Sequence, residues 1–369
     1  MKTTDHSLTS NKSDNDWMQA ALGLGARGQG NVSPNPSVGC IIVKDNVVVG
    51  RGWTQPSGRP HAEAKALQQA DDQAKGATAY VTLEPCSHYG VTPPCAEALI
   101  KAEIGRVVVA MRDPDERVNG SGINMLRQAG INVTENILSQ DAEAFHLGFV
   151  LKATENRPTF TLKLAVSNDG KIAKANGDSK WITGPEARQF GHMMRAKHDG
   201  ILVGVNTVLA DNPMLSCRVN GLESKSPIRI ILDTNLQTPL TAQVVQTADE
   251  IKTVIVTEVN NNVDAFSACG VEILNVRSTR DMREVSALLA NFGFTSVMIE
   301  GGAQIAASFA RAKLIDQHAI FRAPTIIGED GINAIQGLSL ERYIADPSFV
   351  IETTRNLGPD VLTTYRNIK

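Results

Sequence analysis

The chain has few aromatic residues, little net charge, few cysteines and no long apolar run. Aromatics make up 5% of its 369 residues and the net charge is −3, so no global field gathers nucleic acid, and composition leaves room only for a local basic patch. No apolar stretch reaches the length of about 20 residues that a membrane span requires. Met1 to Asp16 is polar and carries no apolar core of a secretory signal. Five cysteines, an odd number spread thinly, do not make a disulfide framework and fit a reducing cytoplasm. No repeat of 20–50 residues is present. The remaining composition, 42% hydrophobic and 20% charged, is that of an ordinary globular protein, and the length exceeds one comfortable core, which predicts two domains.

One stretch organises the first half: His61-Ala62-Glu63, read with Pro85-Cys86 and Cys95. One imidazole and two thiolates supply three metal ligands and leave a fourth tetrahedral position open, which separates a catalytic zinc from a closed structural one. Glu63 is not needed as a ligand and is free to move protons. H-x-E followed by P-C and a second cysteine is the signature of zinc deaminases that remove an exocyclic amine from a nucleobase-like ring. Two thiolates and an imidazole favour zinc over harder divalent ions.

Along the chain, Met1 to Asn15 reads as a disordered leader. Asp16 is expected to cap a helix carrying Trp17, Met18, Ala21 and Leu22. Gly23, Gly25 and Gly28 spell G-x-G-x-x-G, yet no strand precedes them and no helix opens after them, so they are helix-end glycines and not a dinucleotide fingerprint. Cys40–Val43 and Val47–Val49 read as a hairpin, with Cys40 a buried small hydrophobe. A helix from His61, a strand over 79–83, a helix from Cys95, a strand over 106–110, a helix over 123–129, a strand over 131–134 and a closing helix over 143–153 complete one α/β layer domain, residues 16–155. The second domain, 156–369, opens with a strand over 159–166. A helix begins near Pro185, further strands fall at 200–205, 228–232, 253–257 and 296–299, and Glu300-Gly301-Gly302 leads into a helix over 304–313. A strand, two glycines and a helix N-terminus make a sound phosphate cradle, although many such junctions are only tight turns.

These residues resemble the bifunctional deaminase–reductases of riboflavin biosynthesis. The resemblance is carried by Asn35-Pro-Ser-Val-Gly-Cys40, His61-Ala-Glu63, Thr82-Leu-Glu-Pro-Cys-Ser-His-Tyr-Gly90 and Thr92-Pro-Pro-Cys95. It continues through Thr161-Leu-Lys-Leu-Ala165, Asp169-Gly-Lys171, Trp181-Ile-Thr-Gly184, Leu202-Val-Gly204, Ala210-Asp-Asn-Pro213 and Glu300-Gly-Gly302. It implies an α/β chain with a cytidine-deaminase-like three-layer α/β/α domain followed by a dihydrofolate-reductase-like domain. The implied reactions are zinc-dependent deamination of 2,5-diamino-6-ribosylamino-4(3H)-pyrimidinone 5′-phosphate and NADPH-dependent reduction of the ribosyl group to ribityl. The resemblance places Ala165, Trp181, Thr207, Asp211 and the segment Gly302, Ala303, Gln304, Ile305, Ala306, Ala307 and Ser308 at the NADPH. It places Ser179, Arg195, Leu215, Arg218 and Glu300 around the sugar-phosphate substrate. Asn35 and His88 are expected to contact the deaminase substrate, and Lys163 is expected to help polarise the reducible centre. Arg195 and Arg218 suit a phosphate as permanent, bidentate cations. The expected partner is a small pyrimidine ribotide, with no nucleic acid and no membrane, and a homo-oligomer is expected. Val91, Lys65 and Asn168 depart from the family pattern; Val91 stands where a cation is usual.

Blander readings stay open for single residues. His192 and His198 read as ordinary histidines of a helical stretch, Arg195 as a solvated helix charge, Trp181 as core and Glu300 as a turn residue. Two other functions compete: an RNA-editing deaminase, which wants a basic aromatic surface that this composition does not supply, and a zinc-stabilised, non-enzymatic nucleotide sensor. Ammonia release separates the three.

Overall fold

In the computed structural model, which describes residues 12–90, 92–115, 118–261 and 263–368, the apolar runs of the sequence become the inner strands of two sheets. The chain divides into two compact units after Thr154. Residues 1–11 of the expected leader, and Val91, lie outside the described residues.

The first unit runs α1 (Asp14–Gly25), β1 (Gly39–Lys44), β2 (Val47–Trp53), α2 (Ala62–Ala70), β3 (Thr78–Val81), α3 (Cys95–Lys101), β4 (Arg106–Val109), α4 (Ser121–Gln128), β5 (Asn132–Thr134), α5 (Ser139–Phe145) and α6 (Leu147–Glu155). Its sheet has the order β2-β1-β3-β4-β5, antiparallel through the hairpin and β1–β3 and parallel from β3 to β5. Asp45 and Asn46 turn the hairpin with positive φ, a conformation these short polar side chains tolerate. Cys40 pairs with Gly52 and Gly39 with Trp53, so alternate residues of β1 face opposite sides. On one side α2 lies directly on the glycine positions of β2: a Cβ on Gly52 would stand 2.1 Å from the Ala62 carbonyl oxygen. On the other, a Cβ on Gly39 would stand 1.9 Å from the Ala21 carbonyl oxygen of α1. Helices thus cover both faces, and the start of α2 is pressed onto the sheet.

Two local expectations shift. The cap of α1 is Ser13, not Asp16; Asp16 is the third helical residue, and its carboxylate accepts from the Ser13 amide at 2.8 Å while the Ser13 hydroxyl accepts from the Asp16 amide at 3.3 Å. This is a reciprocal capping box, which a carboxylate at the third position can close as well as a glutamate. The single closing helix is two, α5 and α6, which meet at His146, whose buried ring turns inward with Nε2 3.1 Å from the Thr82 hydroxyl.

The second unit runs β6 (Thr159–Val166), β7 (Lys171–Ala173), α7 (Pro185–Arg195), β8 (Gly200–Gly204), α8 (Val205–Asp211), β9 (Ile228–Leu232), α9 (Gln243–Gln246), β10 (Thr253–Thr257), α10 (Asp264–Ala268) and β11 (Glu272–Asn275). It continues through α11 (Met282–Phe292), β12 (Ser296–Ile299), α12 (Ala303–Ala312), β13 (Gln317–Arg322), β14 (Ile332–Asn333), α13 (Leu340–Ile344), β15 (Phe349–Leu357) and β16 (Asp360–Asn367). Nine strands form one sheet, β11-β10-β9-β8-β12-β6-β13-β16-β15. All neighbours are parallel from β11 to β13, and β16 and β15 add antiparallel. β8 is buried along its whole length, as an inner parallel strand must be. The chain leaves β8 outward toward β11 and returns at β12 on β8's other side. That reversal opens a crevice beyond the carboxyl ends of the strands, where open α/β sheets bind ligands.

Candidate active sites

In the first unit, His61 is the residue just before α2, Cys95 the first residue of α3, and Cys86 lies beyond β3. Their ligand atoms all lie within 4.8 Å of one another, and this is the metal-type cluster found among the described residues. The His61 Nδ1 is 3.3 Å from the Cys95 Sγ and 3.7 Å from the Cys86 Sγ. One imidazole and two thiolates at these separations match the donor set of an open tetrahedral zinc site. The backbone amide of Cys95 donates to the Cys86 sulfur at 3.3 Å. The Cys95 thiol first, then His61 and this amide, hold the Cys86 thiol well below its ordinary pKa, down to about 4. Glu63, in the first turn of α2, is buried with no role as a ligand; burial, and then the Cys86 charge, push its carboxyl up to about 7. Cys40, fully buried beneath, stays outside the cluster.

Glu84, which the sequence did not single out, holds this arrangement in place. Its buried carboxylate accepts four backbone amides: Asp113 (3.2 Å) and Gly120 (2.9 Å) on Oε2, Gly122 (2.9 Å) and Ile123 (3.3 Å) on Oε1. This ties the start of α4 to the residue two before Cys86, and a Cβ on Gly122 would stand 2.0 Å from the Pro85 carbonyl oxygen. A glutamate before Pro-Cys at a strand end was the available signal. Lys65 reaches only Gln68 (2.7 Å), and Asn168 uses its backbone, with its amide donating to Thr325 and its carbonyl accepting from Arg322; neither touches the zinc cluster.

In the second unit two adjoining hollows open beyond the strand ends. One, of about 330 Å³, is lined by Lys163, Ala165, Ser179, Trp181, Arg188, His192, Arg195, Arg218 and Glu300 among others. The other, of about 530 Å³, is lined by Thr234, Asn235, Gln237, Arg280, Ala303, Gln304, Ile305 and Ser308, and both share Thr207, Asp211 and Gly302. Gly302 caps α12, and a Cβ there would meet no protein atom within 4 Å. Its bare backbone therefore opens to the hollow beside first-turn amides that have no helical acceptor. A dinucleotide pyrophosphate fits such a cradle.

At the floor of the smaller hollow Arg195 donates to both oxygens of Glu300, at 2.8 and 3.0 Å, and to the Ser216 carbonyl at 2.8 Å. Lys163 Nζ is 3.6 Å from the same carboxylate. Burial alone would raise the Glu300 carboxyl, but Arg195 and Lys163 more than offset it and hold it far below its ordinary range. Arg195 is therefore neither a solvated helix charge nor an uncommitted phosphate ligand. Arg218 keeps its outer nitrogens, with Nε directed at His192 Nε2 (3.2 Å). His192 in turn presents Nδ1 to the Ser216 carbonyl at 3.1 Å, which makes Nδ1 the protonated nitrogen. Burial, then Arg195 and Arg218, lower its pKa to about 4. His192 is thus not an ordinary helix histidine; its spacing of three from Arg195, which puts both on one helix face, was the legible clue. Trp181 is no core residue either: it is 69% exposed, with the Arg188 guanidinium 4.6 Å from its ring centre.

Most of the residues expected at the reductase site converge on these hollows. Leu215, Ala306 and Ala307 do not line them and are buried. Thr234, missed in the sequence, lines the larger hollow and bonds the Thr279 hydroxyl at 2.6 Å.

Comparison with known proteins accounts for both units. The family description "Cytidine and deoxycytidylate deaminase zinc-binding region" matches residues 11–111, and "RibD C-terminal domain" matches residues 158–363. The chain is 39% identical over 354 residues to the riboflavin biosynthesis protein RibD of Aquifex aeolicus, covering 96% of this chain and 98% of that one. Against the RibD of Bacillus amyloliquefaciens it is 41% identical, covering 94% and 95%. Among solved structures, Acinetobacter baumannii RibD superposes with a TM-score of 0.87 at 36% identity, covering 96% of this chain and 99% of that one. A diaminohydroxyphosphoribosylaminopyrimidine deaminase/5-amino-6-(5-phosphoribosylamino)uracil reductase from Thermotoga maritima gives 0.84 at 32% identity, covering 96% and 98%. The fold is accordingly a cytidine-deaminase-like domain followed by a dihydrofolate-reductase-like reductase domain. The chain belongs to the RibD family, the bifunctional zinc deaminases and NADPH-dependent reductases of riboflavin biosynthesis.

Proposed function

We propose that the two reactions of this family, deamination of the diaminopyrimidinone ribotide and reduction of its ribosyl chain, are carried out by the two clusters described above. The observation that carries the first assignment is the spare buried Glu63 beside a three-donor cluster. His61, Cys86 and Cys95 would hold zinc, whose chemistry when bound is to acidify water near neutrality. Attack falls on the carbon bearing the amine; Glu63 accepts a proton from the attacking water and passes it to a ring nitrogen, then carries the second proton, from the added hydroxyl, to the amine, which leaves as ammonia as the carbonyl forms. Glu84 positions the Cys86 strand end and takes no part in the chemistry.

For the second reaction, NADPH supplies the hydride and the chain supplies orientation and charge. Gly302 to Ser308 offers the first-turn amides of α12 to the pyrophosphate, with Thr207 and Asp211 on the facing wall, and Ala165 and Trp181 border the nicotinamide end. Arg218, steadied by His192, receives the substrate's phosphate. Glu300, fixed by Arg195, accepts from a sugar hydroxyl, Lys163 faces the reducible centre, and Ser179 bounds the pocket. Ala306 and Ala307 support the helix from within, and Leu215 supports the Ser216 carbonyl to which Arg195 and His192 bind. Among the described residues no helix is long and apolar enough to cross a membrane. The thinly spread, unpaired cysteines support a cytoplasmic location, and the open outer edge of β15 supports a homo-oligomer.

Metal analysis tests the ligand set. One zinc per chain is expected in wild type and in Glu63→Gln, and far less in Cys86→Ser and Cys95→Ser. Full zinc occupancy in either cysteine variant contradicts the assignment.

A further inference from the structure

The ribotide carries a phosphate into the deaminase site, and a dianion leaving water needs a cation and donors to receive it. The loop between the two thiolate ligands, Ser87 to Pro94, contains no lysine or arginine. A guanidinium nevertheless lies on it. Arg59 stands two residues before His61, and its Nη1 donates to the Thr92 hydroxyl at 2.7 Å, three residues before Cys95. Its Nη2 would be 3.3 Å from a Cβ on Gly90, so the charged head covers the loop at the rim of the metal cluster. On the chain leading into Arg59, Gly58, at φ +83°, leaves space for the Asn35 amide, where a Cβ would meet its Nδ2 at 1.9 Å.

The other cations of the unit are differently engaged. Five of them, Lys75, Lys101, Arg106, Arg112 and Arg127, pair with a carboxylate, Lys44 reaches a backbone carbonyl and Lys65 an amide, whereas the described partner of Arg59 is a neutral hydroxyl on the thiolate loop. Glu97, the carboxylate reaching the loop, is taken up by Lys101 and by the Tyr89 hydroxyl. Arg59 therefore keeps its charge and its remaining donors for an anion.

We infer that Arg59, steadied by Thr92, is the residue that receives the substrate's phosphate at the deaminase site. The assignment rests on the reading that this cluster deaminates the phosphorylated ribotide. Arg59 acts on binding and not on the bond changes, so its removal affects ground state and transition state alike and appears in KM.

The test uses the full zinc-loaded chain and follows ammonia release from the ribotide and from the same compound lacking its phosphate. Arg59→Gln is expected to raise KM for the ribotide about tenfold or more, the effect of losing roughly one charge-assisted hydrogen bond. Its kcat should stay within about twofold, with zinc content unchanged and the unphosphorylated compound unaffected. Inorganic phosphate should compete with the ribotide in wild type and lose that effect in Arg59→Gln. Adding Val91→Lys to Arg59→Gln should restore part of the affinity by returning a cation to the loop. Equal loss on both compounds, no loss on either, or loss of zinc in Arg59→Gln overturns the assignment while leaving the deaminase reading intact. If wild type releases no ammonia from the ribotide, that reading fails and takes this inference with it.

Discussion

Replacing Glu300 by glutamine is nearly isosteric and removes one negative charge from a buried cluster of three. The side chains of Arg195 and Glu300 are 14% and 11% exposed, and Lys163 sits 3.6 Å from the same carboxylate. Wild type has two cations against one anion there; the variant leaves two cations facing an amide. Breaking one side of a buried pair costs about 3–5 kcal/mol. At about 2–4 °C per kcal/mol for a unit of this size, the reductase half should melt about 6–20 °C lower. Reduction of supplied deaminated product should be lost, while ammonia release from the ribotide continues. The sign of the pH dependence follows from the depressed carboxyl. Its contribution is full above the ordinary carboxylate pKa of about 4.3 and is lost as pH falls through the lower folded value. The gap between wild type and variant should therefore be complete at pH 7 and close only in strong acid. Calorimetry from pH 7 to 3 with both activity assays checks this; unchanged melting at pH 7 with intact reduction would refute the reasoning.

Gly122→Ala should drive a Cβ against the Pro85 carbonyl, a backbone contact with no side chain to yield. Overpacking of about 1–3 kcal/mol beside Cys86 should speed zinc release to a chelator, and an unaltered release rate counts against the role given to this junction. Burial holds His146 down at about 3 and His318 at about 4, so both are neutral at pH 7. The unfolded chain protonates them near 6.5, so their neutral burial is fully favourable above that value and stability falls as pH drops toward the folded values. The slope is about 1.4 kcal/mol per pH unit for each histidine. Urea midpoints between pH 7 and 5 should show it, with a shallower slope in His146→Gln; an unchanged slope removes His146 from the account.

How much was legible in advance depended on whether a function is local in the chain. The clustering of His61, Cys86 and Cys95, with a buried Glu63 in the first turn of α2, was readable because metal chemistry demands particular residue types, and those types stand near helix starts and a strand end that the patterning already marked. The sheet strands were readable because inner parallel strands are apolar runs, as in Gly200–Gly204. Glu84 was legible only as a glutamate before Pro-Cys, and not as an anchor, since the four amides it accepts come from residues 29 to 39 positions later. His192 was misread for a related reason: its partners, Ser216 and Arg218, come from a distant loop. At Arg195 the sequence shows the charge but not the Glu300 carboxylate, 105 positions later, to which it donates. The break at His146 was hidden because the run of helix formers continues through it, and only the Thr82 hydroxyl just beyond β3 explains the turn of the ring.

The central claim, two separate active sites in one chain, is tested most directly by following ammonia release and NADPH oxidation together. The substrate is the diaminopyrimidinone ribotide, and the proteins are wild type and Glu63→Gln. Wild type should show both signals, and the variant should show neither from the ribotide yet oxidise NADPH when given the deaminated product. Ammonia release at the wild-type rate from Glu63→Gln, or loss of reduction on the supplied product, would contradict the account.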